Sequence, residues 1–167
     1  MSPVDLHHHG DRDAAPGLVD LAVNVRLPGP PDWLAAAIAA TLGDLGAYPD
    51  PRAATAALAA RHGVDADAVL PTSGAAEAFT LVARGLGVRR PLVVHPSFTE
   101  PDAALAAAGT PAARHVLEAA SGFRLEIDRV DPDADLVVVG NPTNPTGVLH
   151  PASALRRLRR PGRVLLV

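Results

Sequence analysis

The feature that most constrains this chain is an alternation that sets in after residue 70. Apolar runs at 91–95, 114–117, 136–140 and 163–167 have strand length, and helical patterns at 75–87, 100–109 and 151–160 stand before or between them. Short apolar runs bounded by turn residues read as buried strands, and apolar residues spaced three and four apart read as helices. Strands that alternate with helices predict an α/β fold with a largely parallel sheet. In open sheets of this type ligands bind at the carboxyl ends of the strands, in the loops that lead to the helices. Those loops hold the unusual sequences of this chain.

Ahead of the alternation, residues 1–31 form an irregular arm punctuated by proline and glycine, with one apolar stretch at 18–25. Such an arm is expected to pack on something else. From Asp32 the pattern becomes helical, with Trp33, Leu34, Ala37, Ile38, Thr41 and Leu42 on one stripe that ends near Gly43. A second, alanine-rich helix is predicted after Pro51, ending at Gly63. Both helices are expected to carry structure rather than chemistry.

Composition narrows the class. Hydrophobic residues make up 48% of the 167 and charged residues 20%, which suits a globular chain with a buried core. No apolar run approaches the ~18 residues of a membrane span, and no membrane partner is expected. The N-terminus shows histidines and acidic residues where a secretion signal has a basic patch and an apolar run, so a cytoplasmic location is expected. Absence of cysteine removes disulfides and thiolate metal sites, and no metal is expected. A net charge of −3 argues against nucleic acid as partner. All fifteen basic residues are arginine, a bias typical of GC-rich coding sequence that also removes every reaction needing a lysine.

Three loops carry the candidate chemistry. Pro71-Thr72-Ser73-Gly74-Ala75-Ala76-Glu77 opens directly into a helix, where small residues admit a ligand and first-turn N–H groups with the helix dipole suit a phosphate. Ser73 could equally serve there as an N-cap with no ligand. His95-Pro96-Ser97-Phe98 follows a strand and sets an aromatic ring at the sheet's ligand edge, able to stack on a planar heterocycle or to join the core. Asn141-Pro142-Thr143-Asn144-Pro145-Thr146-Gly147 has two Asn-Pro pairs within one loop, and each proline fixes its own φ and restricts the residue before it. A rigid loop of this kind can hold an asparagine amide at a set distance from an anionic oxygen.

The ordered set Tyr48-Pro49-Asp50-Pro51, Gly74-Ala75-Ala76-Glu77, Pro96-Ser97-Phe98 and 141–147 resembles the fold-type I pyridoxal-phosphate (PLP) enzymes, in the branch of histidinol-phosphate aminotransferase and threonine-phosphate decarboxylase. His95-Pro96-Ser97-Phe98-Thr99-Glu100-Pro101 and Arg160-Pro161-Gly162-Arg163 look most similar to the actinobacterial CobC-like proteins of cobalamin biosynthesis. The resemblance implies a three-layer α/β large domain, incomplete at the C-terminus, over 47–167, with 1–46 as the arm and first helix. It implies pyridoxal 5'-phosphate as cofactor, an amino acid or amino-acid phosphate as substrate, and a homodimer when full length. It further implies that Gly74, Ala75 and Ala76 hold the cofactor phosphate, that Phe98 stacks on the pyridine ring, and that Asn144 donates to the ring's phenolic oxygen. Tyr48 would reach the phosphate of the partner's cofactor, Asn24 would lie near substrate, and the Asn144–Pro145 peptide would be cis. His9-Gly10 resembles a pair that contacts substrate phosphate, although Asp11 stands where a second glycine is common, and His7–His9 reads equally as a solvated tail.

Chemistry of this kind needs a lysine to anchor the cofactor and move protons, an aspartate for the pyridinium nitrogen and an arginine for the substrate carboxylate. In the resembled family these follow the strand at 163–167, and this chain contains no lysine. The 167 residues alone are therefore expected to be inactive and poorly stable, with an open sheet edge. Two readings stand side by side: the front portion of an enzyme, or a non-catalytic remnant or split half that binds a phosphate or a partner polypeptide. A DNA-binding regulator with a related domain would need a helix-turn-helix, for which the arm offers no room. Arginines 156–163 read as a solvated face that complements a helix C-terminus.

Overall fold

The computed structural model describes residues 5–6, 10–20, 24 and 27–167. Two compact units divide the chain, one comprising Met1–His7 and Thr72–Val167 and the other His8–Pro71.

In the larger unit, helix α3 (Gly74–Gly85) is followed by strand β1 (Pro91–His95), helix α4 (Glu100–Ala107), strand β2 (Ala113–Val116), strand β3 (Leu136–Val138), helix α5 (Ala152–Arg157) and strand β4 (Val164–Leu166). All pairings are parallel, in the order β2-β1-β3-β4. Strand alternation sends Val93, Leu136 and Val138 to one face, where they pack with Ala83 and Leu105 of α3 and α4. Leu92, Val94, Val137 and Val139 face the other way, against Leu155 and Leu158 and the stretch 117–134. The unit is thus the expected α/β fold, with cover on both faces of a parallel sheet. Val93, Leu136 and Val137 are fully out of water, each worth ~1.5–3 kcal/mol of burial.

The amino edge of the sheet is tied by Asp135, whose carboxylate accepts the amides of Arg89 (2.7 Å) and Arg90 (2.9 Å). Burial pushes this carboxyl up, and the two amides together with Arg90 outweigh it and hold its pKa below the usual range. Arg163 departs from the expected solvated face. Its half-buried guanidinium donates to the carbonyls of Asp131 (2.7 Å), Ala134 (2.8 Å), Pro132 (2.9 Å) and Leu158 (3.1 Å), pinning the turn into β4. The guanidinium fork has enough donors to satisfy carbonyls that no strand partner reaches.

The smaller unit contains helix α1 (Asp32–Ala40), helix α2 (Arg52–His62) and 3-10 turns at Gly10–Asp13, Leu42–Asp44 and Ala66–Ala68. Helix α2 stops where expected, at Gly63, whose φ of +64° places it in the left-handed region glycine tolerates. Ahead of it, the Asp50 carboxylate accepts the Arg52 backbone amide (3.0 Å) and pairs with the Arg52 guanidinium (2.6 Å). Ala59 is the only buried residue among those described here. Along the apolar stripe of α1 and the turn after it, Leu34 is half-buried while Trp33 (72%) and Leu42 (60%) are exposed.

No helix among the described residues is long and apolar enough to cross a membrane.

Candidate functional site

Topology alone singles out one edge of the larger unit. The chain leaves β1 to one side to form β2, then crosses back to form β3 on the other side. The carboxyl ends of β1 and β3 therefore flank a switch point, the crevice where open α/β sheets take ligands. The loop after β1 carries Phe98 and the loop after β3 carries Asn144. Helix α3, which leads back into β1, presents its N-terminus to this same edge.

At that N-terminus Gly74 has φ +76°, a conformation that a side chain would strain. The first-turn amides of Ala75 and Ala76 have no acceptor inside the helix, and no described loop or side-chain bond takes them. Ser73 makes no side-chain cap. Order comes instead from Thr72, whose hydroxyl donates to the Gly74 carbonyl (3.0 Å), and from Glu77, whose carboxylate accepts the Ser73 amide. Gly74, Ala75 and Ala76 are all exposed. The result is a pair of open N–H donors at the positive end of a twelve-residue helix.

The loop 141–147 is held by its own polar groups. Asn141 clamps its far end, donating to the His150 carbonyl (3.2 Å) and accepting the His150 amide (2.7 Å). Inside the loop, buried Thr143 accepts the Gly147 amide (2.7 Å), donates its own amide to Val148 (2.9 Å) and bonds the Gly140 carbonyl through its hydroxyl (2.8 Å). Asn144, by contrast, is exposed, and its amide makes no hydrogen bond among the described residues. The Asn144–Pro145 peptide is cis, as are Asn141–Pro142 and His95–Pro96. His150 Nε2 is buried without a hydrogen-bond partner among the described residues, and burial holds this ring below the ordinary histidine pKa.

Phe98 is 41% exposed at the same edge. Beside its loop lies a polar cluster that sequence reasoning missed. Asp102 of α4 is 3% exposed; its Oδ2 accepts Arg114 Nε (2.7 Å) and lies 3.1 Å from His95 Nε2. Burial lowers the His95 pKa and Arg114 adds to this, against the pull of Asp102. Against an ionised carboxylate, which can only accept, the Nε2 position is the one that carries the hydrogen in this contact. Asp102 gave no signal because its partners depend on the β1–β2 register, which sets Arg114 beside Val93.

The remaining candidates lie elsewhere. Tyr48 (98% exposed) and Asn24 (exposed) belong to the smaller unit, and His9 falls outside the described residues. No group of three or more acidic or histidine side chains suited to a metal occurs among the described residues. Chemically, the larger unit's edge offers two amide donors for a dianion, an aromatic face for a flat ring and the exposed side-chain amide of Asn144.

Comparison with known proteins agrees with this geometry. The family described as aminotransferase class I and II matches residues 16–167. A histidinol-phosphate aminotransferase of Mycobacterium tuberculosis is 53% identical over 163 residues, 96% of this chain and 44% of the relative. The threonine-phosphate decarboxylase of Salmonella typhimurium is 34% identical over 137 residues, 79% of this chain and 38% of the relative. Among solved structures, the L-threonine-O-3-phosphate decarboxylase of Porphyromonas gingivalis superposes with a TM-score of 0.74 at 26% identity, covering 86% of this chain and 44% of that one. The chain thus spans less than half the length of these relatives. With a family match across nine-tenths of its length, the chain belongs to the class I and II aminotransferases, enzymes whose cofactor is pyridoxal 5'-phosphate.

Proposed function

We propose that this chain supplies the phosphate- and ring-binding edge of a PLP-dependent enzyme that acts on an amino acid or amino-acid phosphate, by transamination or by decarboxylation of the threonine-phosphate type. One observation carries the reading: the Phe98 and Asn144 loops leave adjacent parallel strands at the switch point, with the open amides of Ala75 and Ala76 on the same edge. The donor set fits the cofactor. Gly74 lets the chain turn into α3 so that the amides of Ala75 and Ala76 face a phosphate dianion. Phe98 offers a face for the pyridine ring, and Asn144 a donor to its phenolic oxygen, favouring the anionic form. When bound, the cofactor supplies an electron sink for bond breaking at the substrate's α-carbon.

Tyr48 and Asn24 complete the reading, Tyr48 reaching the partner's cofactor phosphate in a cytoplasmic homodimer and Asn24 lying near substrate, with His9 on substrate phosphate. A place in cobalamin biosynthesis follows from the resemblance to the CobC-like proteins. Residues 1–46 would form the arm and first helix, and 47–167 the first part of the large domain. Since the chain holds no lysine, the 167 residues by themselves bind without turnover.

The test uses 4'-deoxypyridoxine 5'-phosphate, which keeps the ring and phosphate and needs no lysine. Calorimetric titration should show binding to the 167-residue chain. Asn144→Ala should weaken it by about 1.5–3 kcal/mol, the range for a hydrogen bond to a charged group. Equal affinity in Asn144→Ala and Phe98→Ala would remove both from the cofactor site.

A further inference from the structure

Asp102 is the one buried carboxylate among the described residues, and the cofactor set above makes no use of it. It stands on the first turn of α4, while His95 is the last residue of β1. Between them runs the segment 96–101, which carries Phe98. The contact of Asp102 Oδ2 with His95 Nε2 therefore ties the two ends of the Phe98 loop together, and its bond from Arg114 anchors that tie to β2. A core could be filled at equal or lower cost by apolar side chains of the same volume, since burying a charged pair seldom gains net stability. What the polar unit adds is direction. Two hydrogen bonds converging on one oxygen fix the angle at which the loop leaves the sheet, which apolar packing specifies less sharply.

We propose that Asp102, together with His95 and Arg114, is a positioning group that holds Phe98 at the angle needed to lie against a bound pyridine ring. The inference rests on the cofactor reading above. Ring orientation, rather than simple occupancy, is what the cluster controls.

The experiment measures three quantities on the 167-residue chain: affinity for 4'-deoxypyridoxine 5'-phosphate, the circular dichroism induced in its pyridine band, and affinity for inorganic phosphate by phosphorus NMR. Asp102→Asn preserves shape and removes the charge that organises both partners. It should weaken the probe about tenfold and collapse the induced band while leaving phosphate affinity unchanged. Arg114→Met should act in the same direction. An unchanged band in both variants would overturn the proposal, as would parallel loss of probe and phosphate in both, which would make the cluster a support of the whole fold. Phe98→Ala separates the layers: if it leaves probe binding intact, the cofactor reading fails, whereas an effect of Phe98→Ala with none from Asp102→Asn defeats only the positioning role.

Discussion

The two units of this chain use the hydrophobic effect differently. In the unit with the sheet, strands β1 and β3 are buried on both faces and each face has its own apolar cluster. In His8–Pro71, helices form with clear ends, yet among the described residues Ala59 alone is buried and large apolar side chains such as Ile38 and Leu45 stay more than half exposed. Helix stop signals are local, so α2 ends correctly at Gly63 without a core beneath it. Burial is not local, and an apolar stripe reports only that a helix has a face to cover. The proposed ligand edge lies in the unit that satisfies its own core, the kind of rigid support a binding site needs.

This contrast can be broken most sharply by cavity formation. Leu136→Ala removes a fully buried side chain and should cost about 2–5 kcal/mol of the sheet unit's stability. Leu42→Ala, at a site 60% exposed, should stay within about 0.5 kcal/mol. Urea titration of both variants decides it, and similar losses would mean that the smaller unit has a core of its own.

A smaller effect is expected from Asn141→Ala. It would strip the clamp from the His150 backbone and leave a partly buried amide and carbonyl unpaired, at about 1–3 kcal/mol. Amide exchange should rise across 141–150 and stay unchanged in α2. A variant with wild-type exchange would show that the internal bonds of Thr143 hold the loop unaided.

The smallest effect is one of pH, and again it belongs to the sheet unit. Burial lowers the pKa of His95, His115 and His150, so the folded state favours their neutral rings. Below the usual histidine value of about 6.5 the unfolded chain takes up protons that these rings resist. Stability should therefore fall as pH drops from about 7.5 to about 5.5. Asp135, held below the ordinary carboxylate range, stays ionised throughout that window and adds nothing to the change. A midpoint that rises on acidification would contradict the assignment.

Much of the architecture was legible in the sequence because it is written locally. The run 91–95 is β1 to the residue, and the patterns at 75–87 and 100–109 are α3 and α4 with ends shifted by one or two positions. The expected strand 136–140 is shorter, since the chain turns at Gly140 into the 141–147 loop although Val139 still bonds Leu166. The loops at the carboxyl edge were legible too, through their prolines, small residues and one phenylalanine. What could not be read depends on register and on contacts between separate elements: Arg114 of β2 meeting Asp102 of α4, Asn141 closing on His150, and Arg163 gathering four carbonyls. Glu77, quoted only as part of a motif, proved to order the α3 entrance by accepting the Ser73 amide.

The central claim is that three separate segments of the larger unit form one ligand edge. Hydrogen–deuterium exchange of the 167-residue chain, with and without 4'-deoxypyridoxine 5'-phosphate, tests it most directly. The account predicts protection appearing together at 72–77, 97–99 and 143–147, with α1 and α2 unchanged. Protection confined to one of these segments, or absent from all three while the probe is bound, would contradict it.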